Sequence, residues 1–234
     1  MCGRYMSATP VDLLTSHFAA APGDTEGLQP RFNVAPTCVV PVVVARDRSR
    51  TVEAMRWGLV PSWAPDPGIG TKMINARLET LAERPAFRVP LARRRCIVPA
   101  DGYYEWAPGD ARRPHLIRAE AGGPLAFAGL WEAWHGGPTG VLLSCTIVTT
   151  ASAGPVAWLH HRMPVVLPPT AWSDWLDTDA TDGPAAHALL RAVPATSLFA
   201  VQVGTRVNDV RNEGPDLAEA VDPAATEEQL RLPF

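Results

Sequence analysis

The chain has 234 residues, 47% hydrophobic and 19% charged, with a formal net charge of −3. That is enough apolar material for one large domain or two small ones, and the composition is globular rather than disordered. Net acidity argues against a general nucleic-acid binder, there is no apolar run of membrane length, and the start carries no secretory signal pattern.

In chain order, a helix is expected first, with Thr9 as its N-cap, Pro10 at its first helical position and an end near Phe18. Strands follow at about 39–46 and 52–60, from Val, Thr and aromatic enrichment between turn residues, then a helix near 78–88. Further strands are expected at about 94–98, 103–107, 114–119, 125–134 and 141–150. The remainder predicts a helix near 154–160, a strand near 163–167, helices near 169–176 and 184–192, and a strand near 197–203. The 24 prolines and 18 glycines are spread throughout, which suits short strands and many loops. No repeat or long linker divides the chain. The expected fold is a single α+β domain over 1–234: a mixed, mainly antiparallel sheet curved toward a barrel, with peripheral helices. Residues 206–234 read as an extension, its acidic stretch near 213–230 loosely held.

Charge is uneven. Residues 1–118 hold 16 Lys/Arg against 11 Asp/Glu, whereas 119–234 hold 5 against 13, and Lys72 is the single lysine. Arginine makes forked contacts to phosphate and stacks on bases, although a GC-rich genome also enriches it. The four cysteines show no C-x-x-C spacing, and Cys38, Cys96 and Cys145 lie in apolar strand-like runs, which reads as buried, inert thiols in a reducing cytoplasm.

Cys2 directly follows Met1. Removal of the methionine would place a free α-amine and a thiol on adjacent carbons. The amine has an ordinary pKa of about 8. It can condense with an aldehyde, and the thiol can then close a five-membered thiazolidine. Other polar segments sit oddly for packing. Asn75 and Arg77 precede a helical pattern: Asn75 is either a cap or an amide that positions a substrate oxygen, and Arg77 either a solvated charge or a phosphate contact. Glu105 lies in Tyr103-Tyr104-Glu105-Trp106, where burial among aromatic rings would raise its pKa and suit it to shuttle protons; an outward-facing carboxylate is the other reading. His160, His161 and Arg162 precede a strand; adjacent strand residues face opposite ways, so at most one His would face a given site, and either could be a structural hydrogen-bonder. A metal held by His160, Cys2 and Glu105 has no ligand spacing behind it. Trp57 and Trp63, interleaved with Arg and Pro, are either core residues or platforms for unpaired bases.

The segments Met1-Cys2-Gly3-Arg4-Tyr5, Arg31-Phe32-Asn33-Val34-Ala35-Pro36-Thr37, Met55-Arg56-Trp57-Gly58-Leu59-Val60-Pro61-Ser62-Trp63 and Asn75-Ala76-Arg77-Leu78-Glu79-Thr80 occur in that order. They are followed by Arg95-Cys96-Ile97-Val98-Pro99-Ala100-Asp101-Gly102-Tyr103-Tyr104-Glu105-Trp106, Phe127-Ala128-Gly129-Leu130-Trp131-Glu132, Thr149-Thr150 and His160-His161-Arg162-Met163-Pro164-Val165. With these the chain resembles the SOS-response-associated peptidase (SRAP) family over most of residues 1–167. The resemblance implies a sensor of abasic sites in single-stranded DNA that traps the ring-opened sugar on Cys2 as a thiazolidine crosslink, with self-removal of Met1 and weak Schiff-base lyase activity. It implies Cys2 as nucleophile, Asn75 as its positioner, Glu105 and His160 as proton carriers, and Arg4, Arg77, Arg162, Trp57, Trp63, Trp106 and Thr149 as DNA contacts. No cofactor, metal or membrane is implied. The expected state is a cytoplasmic monomer, nucleoid-associated when bound to DNA. Two other functions fit the residues: a Cys–His peptidase in which His160 activates the Cys2 thiol, and a non-covalent reader of single-stranded or modified DNA.

Overall fold

The computed structural model describes residues 2–46, 49–109, 113–137 and 140–221. Strands β1 (Tyr5–Ser7), β2 (Ala21–Pro22), β3 (Arg31–Val34), β4 (Val39–Arg46), β5 (Ser49–Trp57) and β6 (Asn75–Arg77) lead to β7 (Arg95–Ala100), β8 (Gly102–Trp106) and β9 (Pro114–Ala119). They are followed by β10 (Leu125–Gly137), β11 (Gly140–Ala151), β12 (Arg162–Pro164) and β13 (Leu198–Gln202). The α-helices are α1 (Val11–His17), α2 (Pro85–Arg93), α3 (Trp172–Leu176) and α4 (Gly183–Ala192).

β5, β4, β7, β10 and β11 follow one another through antiparallel pairings. A parallel pairing of β11 with β5, Ser144 opposite Arg56 and Cys145 opposite Trp57, then closes the ring. The result is a closed five-stranded barrel, and closure removes the exposed edges that an open sheet would present. Val40, Val42, Val44, Met55, Trp57, Cys96, Val98, Phe127, Cys145 and Ile147 form one buried cluster. Alternate residues of the same strands, including Val43, Ile97, Ala126, Ala128 and Val148, join a second cluster with Phe87, Leu91, Trp175 and Leu190 of the helices. The period of two therefore separates a barrel interior from a helix-covered exterior, as the α+β, barrel-like expectation holds.

A second sheet runs β13-β9-β8-β1-β3. It contributes Cys2, Tyr5 and Tyr103 to the inner cluster and, from its other face, Met6, Tyr104 and Leu116 to a small core with Val203, Val207 and Leu217. The stretch after 205 is thus packed rather than loosely held as far as it is described. Leu217 is buried, the Phe32 amide donates to Glu213 Oε2 at 2.8 Å, and Val203 bridges Ala220. Residues 222–234 lie outside the described residues.

Several expected elements shift. Thr9 does not cap α1: Pro10 occupies the capping position, and the Thr9 hydroxyl and amide turn instead to the carboxylate of Asp101. The helix expected near 78–88 is a 3-10 turn at Leu78–Thr80 followed by α2, because Pro85 sets a new helix start. At 154–160 only Gly154–Val156 is helical. Among the described residues no helix is long and apolar enough to cross a membrane.

The turn leaving β5 brings two glycines back to back. Gly58 has φ +122°, and a Cβ on Gly70 would lie 2.5 Å from the Gly58 carbonyl oxygen. Only hydrogen at both positions allows that approach. The loop is then fixed by Leu59 N–H donating to Met73 O at 3.1 Å and by the Trp57 indole N–H donating to Ile74 O at 2.9 Å, one residue before Asn75.

Candidate functional site

β1 is held on both sides. Tyr5 pairs with Tyr103 of β8 and with Val34 of β3. Just beyond it, the Asp101 carboxylate accepts from the Ala8 and Thr9 amides at 2.6 and 2.9 Å. Tyr104 N–H donates to Arg4 O at 2.9 Å, which continues the pairing past the strand end and brings the first residues alongside Glu105. Cys2 is fully buried there. From the other side β6, paired in parallel with β11, presents Asn75, whose Nδ2 donates to the Cys2 carbonyl oxygen at 2.8 Å. The Asn75 Oδ1 is buried and makes no hydrogen bond with the described residues: a fixed acceptor beside the start of the chain, short of a donor.

Electrostatics follow from this crowding. Burial pushes the Cys2 thiol well above its usual range, and the nearby Glu105 carboxylate pushes it further. Burial likewise raises Glu105, against the positive charge of the chain's α-amine and of His161. Burial raises the Tyr103 hydroxyl, with Cys2 and Glu105 adding to the effect. His160 is lowered by burial and then by the α-amine charge. Its Nδ1 lies 3.0 Å from the Arg162 amide, which can donate to it, and 3.2 Å from the Arg162 carbonyl oxygen, to which a protonated Nδ1 can donate; both ring tautomers find a partner there. Among the described residues no group of three or more His, Cys, Asp and Glu side chains could hold a metal ion.

A raised carboxyl carries a stability consequence with a definite sign. The folded chain binds the Glu105 proton more tightly than the unfolded chain does, so stability declines as pH rises from the ordinary carboxyl value of 4.5 toward the raised one. At neutral pH Glu105 is therefore a cost. Glu105→Gln is expected to be about 0.5–2 kcal/mol more stable than wild type in urea at pH 7.5, the usual scale for relieving a strained functional position, and to show no advantage at pH 4. A variant less stable than wild type at pH 7.5 contradicts the assignment.

Cys2, Asn75, Glu105 and His160 were all expected at one site. A hydrogen bond joins Cys2 to Asn75 and electrostatic coupling joins it to Glu105; the α-amine charge that acts on Glu105 and His160 is that of the chain with Met1 still attached. The expectation of opposed histidines is corrected. The strand begins only at Arg162, and the His160 and His161 rings lie 4.2 Å apart at 31°. Of the expected DNA contacts, Arg77 is exposed and Trp63 is 59% exposed. Trp106 is half-buried; its indole N–H donates to Asn208 Oδ1 at 2.6 Å, and Arg4 lies 5.9 Å over its ring. Arg4 Nη1 also donates to Asn33 Oδ1 and Val207 O.

Three expected contacts are corrected. Trp57 has no exposed face; it packs edge-on to Tyr5 at 5.1 Å and serves as the prop beneath Ile74 and Asn75. Thr149 is buried, its hydroxyl accepting from Arg162 Nη2 at 3.2 Å. Arg162 is 8% exposed and forks onto both oxygens of Glu79 at 2.6 and 3.0 Å, with Thr149 O as a further acceptor. A phosphate reaches that guanidinium only where Glu79, itself exposed, gives way. Cys96 and Cys145 are buried as expected, whereas Cys38 is half-buried and its sulfur accepts from Arg31. Sequence reasoning passed over Glu79, Tyr103 and His115. The signal for Tyr103 was its period-two relation to Glu105; Glu79 and His115 carried none.

A profile of the SOS response associated peptidase (SRAP) family matches residues 1–210. The abasic site processing protein YoqW of Bacillus subtilis is 38% identical over 223 residues, covering 94% of this chain and all of that protein. The abasic site processing protein HMCES of Pongo abelii is 32% identical over 275 aligned positions, covering 95% of this chain and 77% of that protein. A crystal structure of a Bacteroides thetaiotaomicron protein superposes with a TM-score of 0.83 at 22% identity, over 94% of this chain and all of the other, which shows a shared fold. With a family profile spanning 1–210 and YoqW matched over its whole length, the chain belongs to the SOS response associated peptidase family.

Proposed function

We propose that the protein recognises abasic sites in single-stranded DNA and captures the aldehyde form of the sugar covalently on Cys2 once Met1 has been removed. Relatives named abasic site processing proteins support the reaction class. The observation that carries the chemistry is the placement of Cys2, its carbonyl held by Asn75 and its buried thiol beside Glu105.

A raised thiol pKa bears on which atom attacks first. Cysteine peptidases need a thiolate, made by lowering the thiol pKa or by an adjacent base. Here burial works the other way, so the α-amine is the better first nucleophile and the peptidase reading is disfavoured. As the imidazolium, His160 gives a proton to the ring oxygen and takes the C1′ hydroxyl proton back, so the closed hemiacetal opens with no net change in protons. The amine adds to C1′, and Glu105 in its acid form protonates the carbinolamine hydroxyl, which leaves as water. The thiol then adds to the imine carbon and its proton passes to the Glu105 carboxylate. One C–N and one C–S bond form, one C=O bond is lost, and one water departs. Glu105 gives a proton and takes one back, so a carboxyl titrating nearer neutrality is suited to both steps. Holding amine, thiol and lesion together supplies much of the rate. Arg77, Arg4, Trp63 and Trp106 are the residues proposed to hold the strand, since a lesion must leave the stack to reach so buried a residue.

The test is intact-mass measurement of the Met1-free protein after mixing with a single-stranded oligonucleotide that carries one abasic site. The expected product is protein plus oligonucleotide minus one water, stable to denaturation. Quantitatively unmodified protein overturns the proposal.

A further inference from the structure

One aromatic residue at this site has no part in the chemistry above. β8 and β9 pair with Glu105 directly opposite His115, and directly opposed residues of an antiparallel pair put their side chains on the same face, Cβ atoms about 4.5–5.5 Å apart. His115 is buried. Its ring meets that of Trp158 almost perpendicularly, centroids 5.1 Å apart at 86°. Trp158 in turn stands two residues before His160, between buried Val156 and Leu159. Its backbone is thus pinned on both sides and its ring braced by His115, yet the side chain is 54% exposed. The other exposed apolar side chains, such as Leu13, Val89 and Val210, have no such link to the site and are ordinary surface residues. Trp158 is an exposed indole linked to Glu105 through His115 and to His160 along the chain.

An abasic nucleotide has no base of its own. A protein that gathers DNA around it has phosphates and the neighbouring bases to hold, and only the bases need a flat apolar partner. From this geometry we infer that Trp158 is a stacking platform for the unpaired base adjoining the abasic nucleotide, on the His160 side of the site. The inference rests on the abasic-DNA reading above. Stacking of this kind tolerates any base and is worth about 1–3 kcal/mol per base on alanine substitution, roughly a 5- to 150-fold change in affinity.

The experiment measures equilibrium binding of the Met1-free protein to single-stranded oligonucleotides that carry one tetrahydrofuran site, an abasic analogue with no aldehyde. Trp158→Ala is expected to weaken binding at least 5-fold and Trp158→Phe to recover most of it, with both variants melting within a few degrees of wild type. Placing a second tetrahydrofuran on one particular side of the first is expected to weaken wild type by a similar factor and Trp158→Ala hardly at all. Equal affinities for wild type and Trp158→Ala overturn the inference, as does a Trp158→Ala variant that remains fully sensitive to spacers on both sides. Because this readout needs no covalent step, loss of crosslinking in wild type counts against the proposed function alone.

Discussion

Cys2→Ala is expected to yield no adduct that survives denaturation, while still forming an imine that borohydride can trap. Alanine leaves a free α-amine after methionine removal, so the first bond still forms. What it removes is the sulfur that closes the ring. An imine hydrolyses readily, whereas a thiazolidine holds the carbon through two heteroatoms. The variant thus separates the two steps, and neither a peptidase nor a non-covalent reader would behave this way. Inserting a glycine between Met1 and Cys2 makes a sharper arm of the same experiment. It keeps the thiol and a terminal amine but puts them on different residues, so a five-membered ring cannot form. Loss of the stable adduct is expected to be complete in both variants by intact mass, with a borohydride-dependent product persisting in Cys2→Ala. An equal yield of denaturation-resistant adduct from Cys2→Ala without reductant would place the nucleophile elsewhere. Overall folding should be little affected, because the Asn75 contact to residue 2 is to its backbone carbonyl, although Cys2 is fully buried and some packing is lost.

The barrel was legible because its strands are long and rich in β-branched residues. Val39–Arg46 and Gly140–Ala151 carry enough such residues for local propensity and tertiary pairing to agree. β1, β3 and β6 left no such trace. They are three or four residues long, include Arg, Asn, Met and Ser, and are strands only because partners flank them, as Asn75–Arg77 is by β11. Those short pieces deliver Cys2 and Asn75, so the motif located the residues without their local structure. The ion pair of Arg162 went unseen for a related reason. A one-dimensional reading assigns arginine to solvent, and nothing in the spacing says that Glu79, 83 positions earlier, will grip it. The same blindness hid the pairing of His115 with Glu105, which needs the register of β8 on β9. Trp57 shows the opposite error: its neighbours suggested a DNA surface, whereas the closing pair of the barrel buries it opposite Cys145.

Arg95→Met is expected to cost about 3–5 kcal/mol in urea unfolding, the largest stability loss predicted for a single substitution here. Arg95 is 1% exposed, and its five acceptors among the described residues are all main-chain oxygens. Nε donates to Trp175 O, Nη1 to Leu91 O and Ala92 O, and Nη2 to Asp177 O and Thr181 O, at 2.5–3.3 Å. One side chain thereby ties the end of α2, the end of α3 and the turn into α4 to the barrel. The Trp175 indole, 5.6 Å beneath the guanidinium, anchors the same corner through its N–H to Cys96 O at 2.8 Å. Burial draws the Arg95 pKa down to about 10, against the pull of Asp177 and Asp182. At neutral pH the group is charged in folded and unfolded chains alike, so the loss should hardly vary between pH 6 and 8. Buried ion pairs are often replaced by apolar residues at little net cost, because both partners can be removed together. Here the acceptors are backbone and stay behind, and each buried carbonyl left without a donor costs about 1–3 kcal/mol before relaxation and entry of water. Against a domain stability of roughly 5–15 kcal/mol, such a loss brings the chain near its folding threshold. Lysine, with three donors for five acceptors, should fall between methionine and wild type. Hydrogen exchange is expected to quicken first over 172–182, and the folded fraction should still capture DNA normally, because the Cys2 site belongs to the other cluster. A methionine variant within 1 kcal/mol of wild type would show that this corner is held by its apolar packing and not by the guanidinium.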